Sequence, residues 1–329
     1  MRQNLAIGVA PGDPSGIGYE ITAKALADLR REGVLDGCRV VVYAHEGLFR
    51  KASARFAPGL ELASAGTAVR EALPESISVR DAGISIDGFR PGVLDADCAR
   101  CAHQALMKCA ADAKSGAIDG ICTGPIHKGA MRLAGISEIG HTEMLASAFG
   151  AEDPMTLFIT RALRIFFYTR HLSLRQAIDA LDVDRLVAFG VRMDAQTRQL
   201  GIKSPKFAMA ALNPHAGDGG QFGTEEAEIL IPAARALRLR GIDITDPIGA
   251  DSVFAQAAQG RYDAVLSLYH DQGHIAAKTY DFERTISATL GLPCLRTSVD
   301  HGTAMDIAWQ GIAQCVSMKT AICELLKYL

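Results

Sequence analysis

Short apolar runs alternate with helical patterns along the whole of this 329-residue chain. Strand-then-helix alternation over such a length is typical of an α/β protein with a mainly parallel sheet. Thr224, followed by two glutamates, predicts a capped helix start. Strands are predicted at 5–10, 40–44, 118–122, 155–160, 164–168, 207–212 and 264–268, and helices at 18–31, 96–113, 185–196, 224–239, 252–259 and 318–329.

Composition narrows the class of function. The chain is 49% hydrophobic and carries 37 acids against 34 bases, for a net charge of −3. This length and apolar content favour two lobes, and the balanced charge argues against nucleic-acid and membrane partners. The N-terminal "MRQNLAIGVAPGDPSG" does not read as a signal peptide, since prolines and glycines interrupt its short apolar run. We therefore expect a cytoplasmic protein that acts on small molecules.

Eight cysteines are scattered along the chain, and only Cys98 and Cys101 form a close pair. Without a second pair at zinc-ribbon spacing, reduced thiols packed in or on a helix are favoured over metal ligation.

Polar clusters follow the predicted strands, which is where ligands bind in open α/β sheets. "PGDPSGIGYE" follows the first strand, and Gly12, Gly16 and Gly18 allow either a tight structural turn or a close approach to an anion. "SVDHGTAMDIAWQG" predicts a turn at His301 and Gly302 that opens a helix, with Asp306 one turn in, a pattern that can hold a nucleotide.

Three histidines, His171, His215 and His270, each come just after a separate predicted strand. Neighbouring parallel strands would bring these ends together, and three imidazoles make a divalent-metal site. A single histidine in such a place is more often structural. Lys278 and Arg296 are cations that could bind a phosphate, with a solvated helix end and a surface salt bridge as the alternatives.

Seven motifs in order, "GDPSGIGYEI", "TGPIHKGA", "GHTE", "NPHAGDGG", "YHDQGH", "TLGLP" and "RTSVDHGTA", resemble the 4-hydroxythreonine-4-phosphate dehydrogenase family of pyridoxal phosphate biosynthesis. The resemblance runs from near residue 7 to beyond 311. It implies the isopropylmalate dehydrogenase-like three-layer α/β/α fold, with two lobes and a cleft between them. A nucleotide-binding lobe is expected at 1–128 plus 290–329, and a metal-binding, substrate-binding and dimerisation lobe at 129–289.

The resemblance also implies a reaction. An NAD- or NADP-dependent oxidation of the C3 hydroxyl of 4-phosphohydroxy-L-threonine would be followed by decarboxylation, with a divalent metal (Zn, Co, Mn or Mg) shared across a homodimer interface. Asp251 is the first candidate for the general base and Asp271 the second, which could instead orient a histidine; a helix cap is an equal alternative for Asp251. The implied metal ligands are His171, His215 and His270. The candidate catalytic residues are Asp251, Asp271 and His141, and the implied substrate contacts are His141, Thr142, Lys278, Ser287 and Arg296. The expected cofactor contacts are Gly12, Asp13, Gly16, His301, Gly302 and Asp306.

Two positions depart from the family pattern: Ser287 and His127 each stand where an asparagine is common. A serine is shorter and offers one hydroxyl in place of an amide. Relatives that act on D-threonate or D-erythronate 4-phosphate, or on aromatic cis-dihydrodiol carboxylates, are the alternative functions, and these motifs do not separate them.

Overall fold

The computed structural model describes residues 5–64, 69, 76–138 and 140–329. The chain divides into two compact units, the first comprising Met1–Pro154 and Ile286–Leu329, and the second Met155–Thr285. Within the described ranges, no helix has both the length and the apolar character required to cross a lipid bilayer.

The first unit is an α/β unit built on strands β1–β5, β11 and β12. Its strands are β1 (Leu5–Ala10), β2 (Cys38–Ala44), β3 (Ala63–Ser64), β4 (Ile77–Asp81), β5 (Gly120–Thr123), β11 (Ile286–Leu290) and β12 (Leu295–Val299). They lie in the order β3-β4-β2-β1-β5-β12-β11, and all neighbours are parallel except β12 and β11. Its helices are α1 (Gly18–Arg31), α2 (Glu46–Phe56), α3 (Ala96–Lys114), α4 (Lys128–Leu133), α5 (His141–Phe149) and α11 (Val316–Tyr328).

Helices cover both faces of this sheet. Side chains of a strand alternate between faces, and Ala6 and Ala10 of β1 belong to one apolar core together with residues of α3, α4 and α5. Ile7 and Val9 are fully buried on the opposite face, where α11 packs against β5 and β12. The unit therefore has the predicted three-layer arrangement.

The second unit is also α/β. Its strands are β6 (Met155–Thr160), β7 (Leu163–Phe167), β8 (Lys206–Met209), β9 (Asp243–Ile244) and β10 (Ala264–Ser267), in the order β6-β7-β10-β8-β9. Only β6 and β7 are antiparallel among these neighbours. Its α-helices are α6 (Leu174–Asp179), α7 (Val183–Gln199), α8 (Ile231–Leu239), α9 (Ala250–Ala258) and α10 (His270–Tyr280).

The predicted α/β class is confirmed, and every predicted strand overlaps an observed one. β1, β6 and α1 have the predicted bounds. The helices α4 and α5 belong to the first unit, where both pack on α3.

Two local predictions are wrong. Thr224 does not cap a helix with its side chain: a π-helical turn, Glu226–Leu230, precedes α8 and has no side-chain cap. The run after His301 forms only a short 3-10 turn, because Ala304 and Trp309 have φ of 40° and 62°, which a right-handed helix does not allow.

Candidate active site

Arg296 of β12 has an almost completely buried guanidinium group. Its Nε and Nη2 donate to Thr123 Oγ1 of β5 at 3.0 and 2.7 Å, and its Nη1 donates to Thr289 Oγ1 of β11 at 3.0 Å. Thr289 is directly opposite Arg296 in the β11–β12 pair, and β5 is the neighbour of β12 on its other side. Both acceptors are therefore neutral hydroxyls on adjacent strands.

The positive charge of Arg296 has no close anionic partner in the described part of the chain. Its hydrogen bonds go only to the two hydroxyls, while Glu143 and Asp300 act on it electrostatically. Burial lowers the pKa of the guanidinium to about 10, so the group stays charged at neutral pH. A buried charge without an ion-pair partner is costly, and such a site is suited to an anionic ligand.

His141, the first residue of α5, interacts electrostatically with the charge of Arg296. Burial and the Arg296 charge hold the pKa of His141 well below its usual value, so the imidazole is neutral. Gly140, the N-cap residue, supplies no side chain to the helix N-terminus. Thr142 follows His141 and is half-buried. The positive end of a helix and a neutral imidazole donor both favour an anion here.

Ser287 lies on the same face of β11 as Thr289, two residues away. Its register partner is Ser298 of β12, and its side chain is half-buried. The structure thus brings Ser287 to the face of the hairpin that carries Arg296. Lys278 belongs to α10 of the second unit, where its Nζ lies 5.5 Å from the centroid of the Phe282 ring.

In the second unit, His171 and His270 converge. They follow the parallel neighbours β7 and β10, and pairing continues past both strands, with Thr169 N and Oγ1 donating to Leu268 O at 3.2 and 2.8 Å. The two imidazole centroids are 6.1 Å apart. The ends of these two neighbouring strands thus place the two imidazoles near each other.

The His270 ring is held by its neighbours. Its Nδ1 is 2.7 Å from Asp271 Oδ1, and the His274 ring stacks on it with centroids 3.6 Å apart. His274 itself lies against Phe158 and Phe167. A carboxylate on one ring nitrogen orients the other nitrogen, an arrangement common among metal-ligating histidines.

His215 does not complete a metal site with that pair inside one chain. Its ring lies beside Phe222, with centroids 6.4 Å apart, in a turn whose residues 215–219 all have left-handed φ. Among the residues that the structure describes, no group of three or more His, Cys, Asp or Glu side chains is arranged to hold a metal ion. Of the three predicted ligands, His171 and His270 are the two that the described part of one chain brings close together.

The two predicted base candidates line the same cavity of about 480 Å³ between α9 and α10. Asp251 is exposed in the first turn of α9, whose N-cap is Gly249, and Asp271 is exposed in the first turn of α10. The cavity wall also includes Tyr269 and Ile275. Asp271 therefore contacts His270 and also lines this cavity.

The loop after β1 that holds Gly12, Asp13 and Gly16 is completely buried. Gly12 has φ of 86°, and a Cβ there would lie 2.1 Å from Pro125 O; at Gly16 it would lie 2.8 Å from Thr303 O. Close backbone packing thus accounts for both glycines. One carboxylate oxygen of Asp13 has no hydrogen-bond partner among the described residues, and burial raises the pKa of Asp13 to about 6.

The second predicted cofactor segment packs on the first. Ile17 N donates to Thr303 O at 3.0 Å, and Trp309 Nε1 donates to Pro14 O at 2.8 Å. Within this segment His301 is half-buried, and Gly302 and Asp306 are exposed. The two segments therefore pack against each other, and residues 301–306 are the more exposed of the two.

Several supporting residues were missed by sequence reasoning. Gln272 donates to Ala211 O at 2.7 Å and accepts from Leu268 N at 2.8 Å, which ties α10 to the ends of β8 and β10. His127 caps α4 by accepting from the N–H groups of Gly129 and Ala130, as the family's asparagine could. Only the His127 substitution offered a signal, since asparagine is a preferred cap residue.

An α/β fold with histidines at strand ends and a buried arginine without an ion-pair partner among the described residues is typical of enzymes that act on small molecules. The profile of the family "Pyridoxal phosphate biosynthetic protein PdxA" matches residues 36–324. A relative from Halalkalibacterium halodurans with the provisional name D-threonate 4-phosphate dehydrogenase is 44% identical, over 100% of this chain and 98% of its own. The chain belongs to the PdxA family.

Solved structures agree. The crystal structure of 4-hydroxythreonine-4-phosphate dehydrogenase from Klebsiella pneumoniae has a TM-score of 0.87 and 37% identity, covering 99% of this chain and 100% of that one. A terephthalate 1,2-cis-dihydrodiol dehydrogenase from Burkholderia xenovorans has a TM-score of 0.67 and 27% identity, with 98% of both chains covered.

Proposed function

We propose that this protein is an NAD(P)-dependent dehydrogenase that oxidises the C3 hydroxyl of a four-carbon, 4-phosphorylated acid, after which the product loses carbon dioxide. The first candidate substrate is 4-phosphohydroxy-L-threonine. The observation that carries the proposal is the buried Arg296 guanidinium with only neutral hydrogen-bond partners.

A phosphate monoester has the charge and the oxygen atoms that the buried guanidinium group of Arg296 can bind. Its oxygens can accept from Arg296, and charge-assisted hydrogen bonds of this kind are about twice as strong as neutral ones. His141, kept neutral by burial and the Arg296 charge, can donate a further hydrogen bond at the N-terminus of α5. Thr142, Ser287 and Lys278 are proposed as additional phosphate or substrate contacts.

The metal ligands proposed are His171, His215 and His270. Two of them converge in one chain, and the third is proposed to come from a second copy in a homodimer, which fits the absence of a complete site among the described residues of a single chain. When bound, a divalent cation lowers the pKa of an alcohol that it coordinates. Asp271 holds the His270 ring in place for that role.

Asp251 and Asp271 are proposed as the candidates to take the hydroxyl proton, because both carboxylates are exposed to the same cavity. Residues 301–306 are proposed to hold a nicotinamide cofactor, which would supply the acceptor for the hydride when bound. We propose that residues 12–16 contribute to cofactor binding indirectly, because this buried loop packs against residues 301–306 and supports them.

A second candidate substrate is D-threonate or D-erythronate 4-phosphate. The observation in its favour is the 44% identity to a relative provisionally named for D-threonate 4-phosphate. Both candidates carry the phosphate that Arg296 requires.

A substrate panel tests the proposal. Purified protein would be given NAD or NADP, a divalent cation and each of the three phosphorylated acids, while NADH or NADPH absorbance is followed. The dephosphorylated acids serve as matched controls, and an aromatic cis-dihydrodiol carboxylate represents the alternative substrate class. We expect turnover of one or more phosphorylated acids and at least about a hundredfold lower kcat/KM without the phosphate. Equal activity on dephosphorylated acids would contradict it, and so would activity confined to a cis-dihydrodiol.

A further inference from the structure

We propose that Thr123 and Thr289 are positioning residues for phosphate recognition: their hydroxyls fix the guanidinium plane of Arg296 so that its outer edge faces the ligand. The inference deepens the proposed function and rests on Arg296 as the phosphate receptor. Neither threonine would touch the phosphate; each acts through the arginine.

The hydrogen-bond inventory of Arg296 leads to this assignment. A guanidinium has five N–H donors in a rigid fork. Thr123 Oγ1 takes one from Nε and one from Nη2, and Thr289 Oγ1 takes one from Nη1. Each terminal nitrogen thus retains one N–H without a partner among the described residues. Two such donors match the two oxygens of a bidentate phosphate.

The chemistry of the two acceptors preserves the charge of the receptor. A carboxylate in either position would pair with the guanidinium and neutralise it before any ligand arrived. Hydroxyls satisfy the N–H groups without cancelling the charge. Thr123 and Thr289 are 0% and 1% exposed, so water does not replace either of them.

The strands fix both hydroxyls. Thr289 is the register partner of Arg296, and Thr123 ends β5, where its backbone carbonyl accepts from Ser298 Oγ at 3.2 Å. β-branched side chains have restricted χ1 rotamers. The receptor is therefore set before the ligand binds, which reduces the cost of binding.

Thr297 provides a matched control. It is a buried threonine next to Arg296 in β12, but its hydroxyl donates to Ala321 O at 2.8 Å and not to the guanidinium. Thr297→Val removes a buried hydroxyl from the same strand. It should lower stability while phosphate binding stays unchanged.

The test measures the affinity of inorganic phosphate by calorimetry, and KM and kcat for the phosphorylated substrate. Thr123→Val is expected to weaken phosphate binding and raise KM by about tenfold or more, since hydrogen bonds to charged groups are the stronger ones, with a smaller change in kcat. Thr123→Ser, which keeps the hydroxyl, should stay within about threefold of the wild type. Thr289→Val should show a loss in the same direction, and it serves as the test if Thr123→Val does not fold.

A double-mutant cycle separates positioning from structure. In an Arg296→Met background, Thr123→Val should cause no further loss of phosphate affinity, because the group through which it acts is gone. An unchanged affinity in Thr123→Val, or an equal loss in Thr297→Val, would overturn the positioning role. If Arg296→Met itself leaves phosphate binding intact, the receptor assignment under the proposed function fails as well.

Discussion

The carboxylate of Glu226 holds Asn213 through both its backbone and its side chain: Oε1 accepts from Asn213 N at 2.8 Å and Oε2 from Asn213 Nδ2 at 2.9 Å. Oε1 also accepts from Leu212 N. Glu226 is buried, and Asn213 immediately precedes the turn that carries His215. Glu226, together with Glu225, which accepts from Asn213 Nδ2 at 2.6 Å, thus anchors a turn of six successive residues with positive φ, 215–220.

Replacing Glu226 with glutamine should therefore loosen this turn. The amide offers one acceptor oxygen where two are used, so one of the three hydrogen bonds to this side chain is lost and an amide N–H group meets a donor, and we expect a loss of roughly 2–3 kcal/mol in the free energy of unfolding. Hydrogen exchange of the 213–220 amides should accelerate. Glu228→Gln, an exposed change in the same segment, is the control and should stay within about 0.5 kcal/mol. Equal effects in both variants would contradict the anchoring role.

His127 performs the capping task of an asparagine, which leads to a second prediction. His127→Asn should leave the free energy of unfolding nearly unchanged, because the amide oxygen can accept from the same N–H groups of Gly129 and Ala130. His127→Ala removes the acceptor and should cost about 1 kcal/mol. Denaturant unfolding of both variants checks this, and an equal cost for asparagine and alanine would contradict it.

Asp13 should make stability depend on pH. Its pKa is raised from 3.8 to about 6 by burial, so between these values the folded state binds more protons than the unfolded state. The contribution of Asp13 to the free energy of unfolding is therefore greatest below about pH 4. It decreases as the pH rises from about 4 to about 6 and beyond. The loss amounts to roughly 3 kcal/mol.

The Asp13→Asn variant isolates that effect. It should match the wild type near pH 4 and exceed it in stability by roughly 2–3 kcal/mol at pH 8, because no charge is buried there. Urea unfolding across this pH range measures the difference, with exposed Asp36→Asn as a control that should show none. A wild type as stable as the variant at pH 8 would show that the ionised carboxylate finds a partner.

Metal removal tests the histidine assignment. Chelation should abolish turnover, and zinc, cobalt or manganese should restore it. His171→Ala, His215→Ala and His270→Ala should each lose bound metal by atomic absorption while circular dichroism is preserved. His103→Ala, on the helix α3, is the control and should retain its bound metal. Full metal content in any of the three variants would remove that residue from the site.

Sequence reasoning found the strands with apolar side chains and missed the hairpin of β11 and β12. Arg296, Thr297 and Ser298 interrupt any apolar run, yet they are buried, because their polar groups hydrogen-bond across the sheet or to α11. A hydrophobic pattern predicts a buried strand only where the side chains are apolar. A strand whose polar side chains are buried because they hydrogen-bond within the protein shows no such pattern.

The sequence by itself determined the α/β class and the position of the polar clusters after the strands, because both depend on local patterns of a few residues. The family also followed from the sequence, through motifs in a fixed order. Only the tertiary structure decided that Arg296 donates hydrogen bonds to the hydroxyl of Thr123, 173 residues away, and that the rings of His171 and His270 lie close together. Which side chains meet depends on strand order and register, and these are set by the packing of the whole chain.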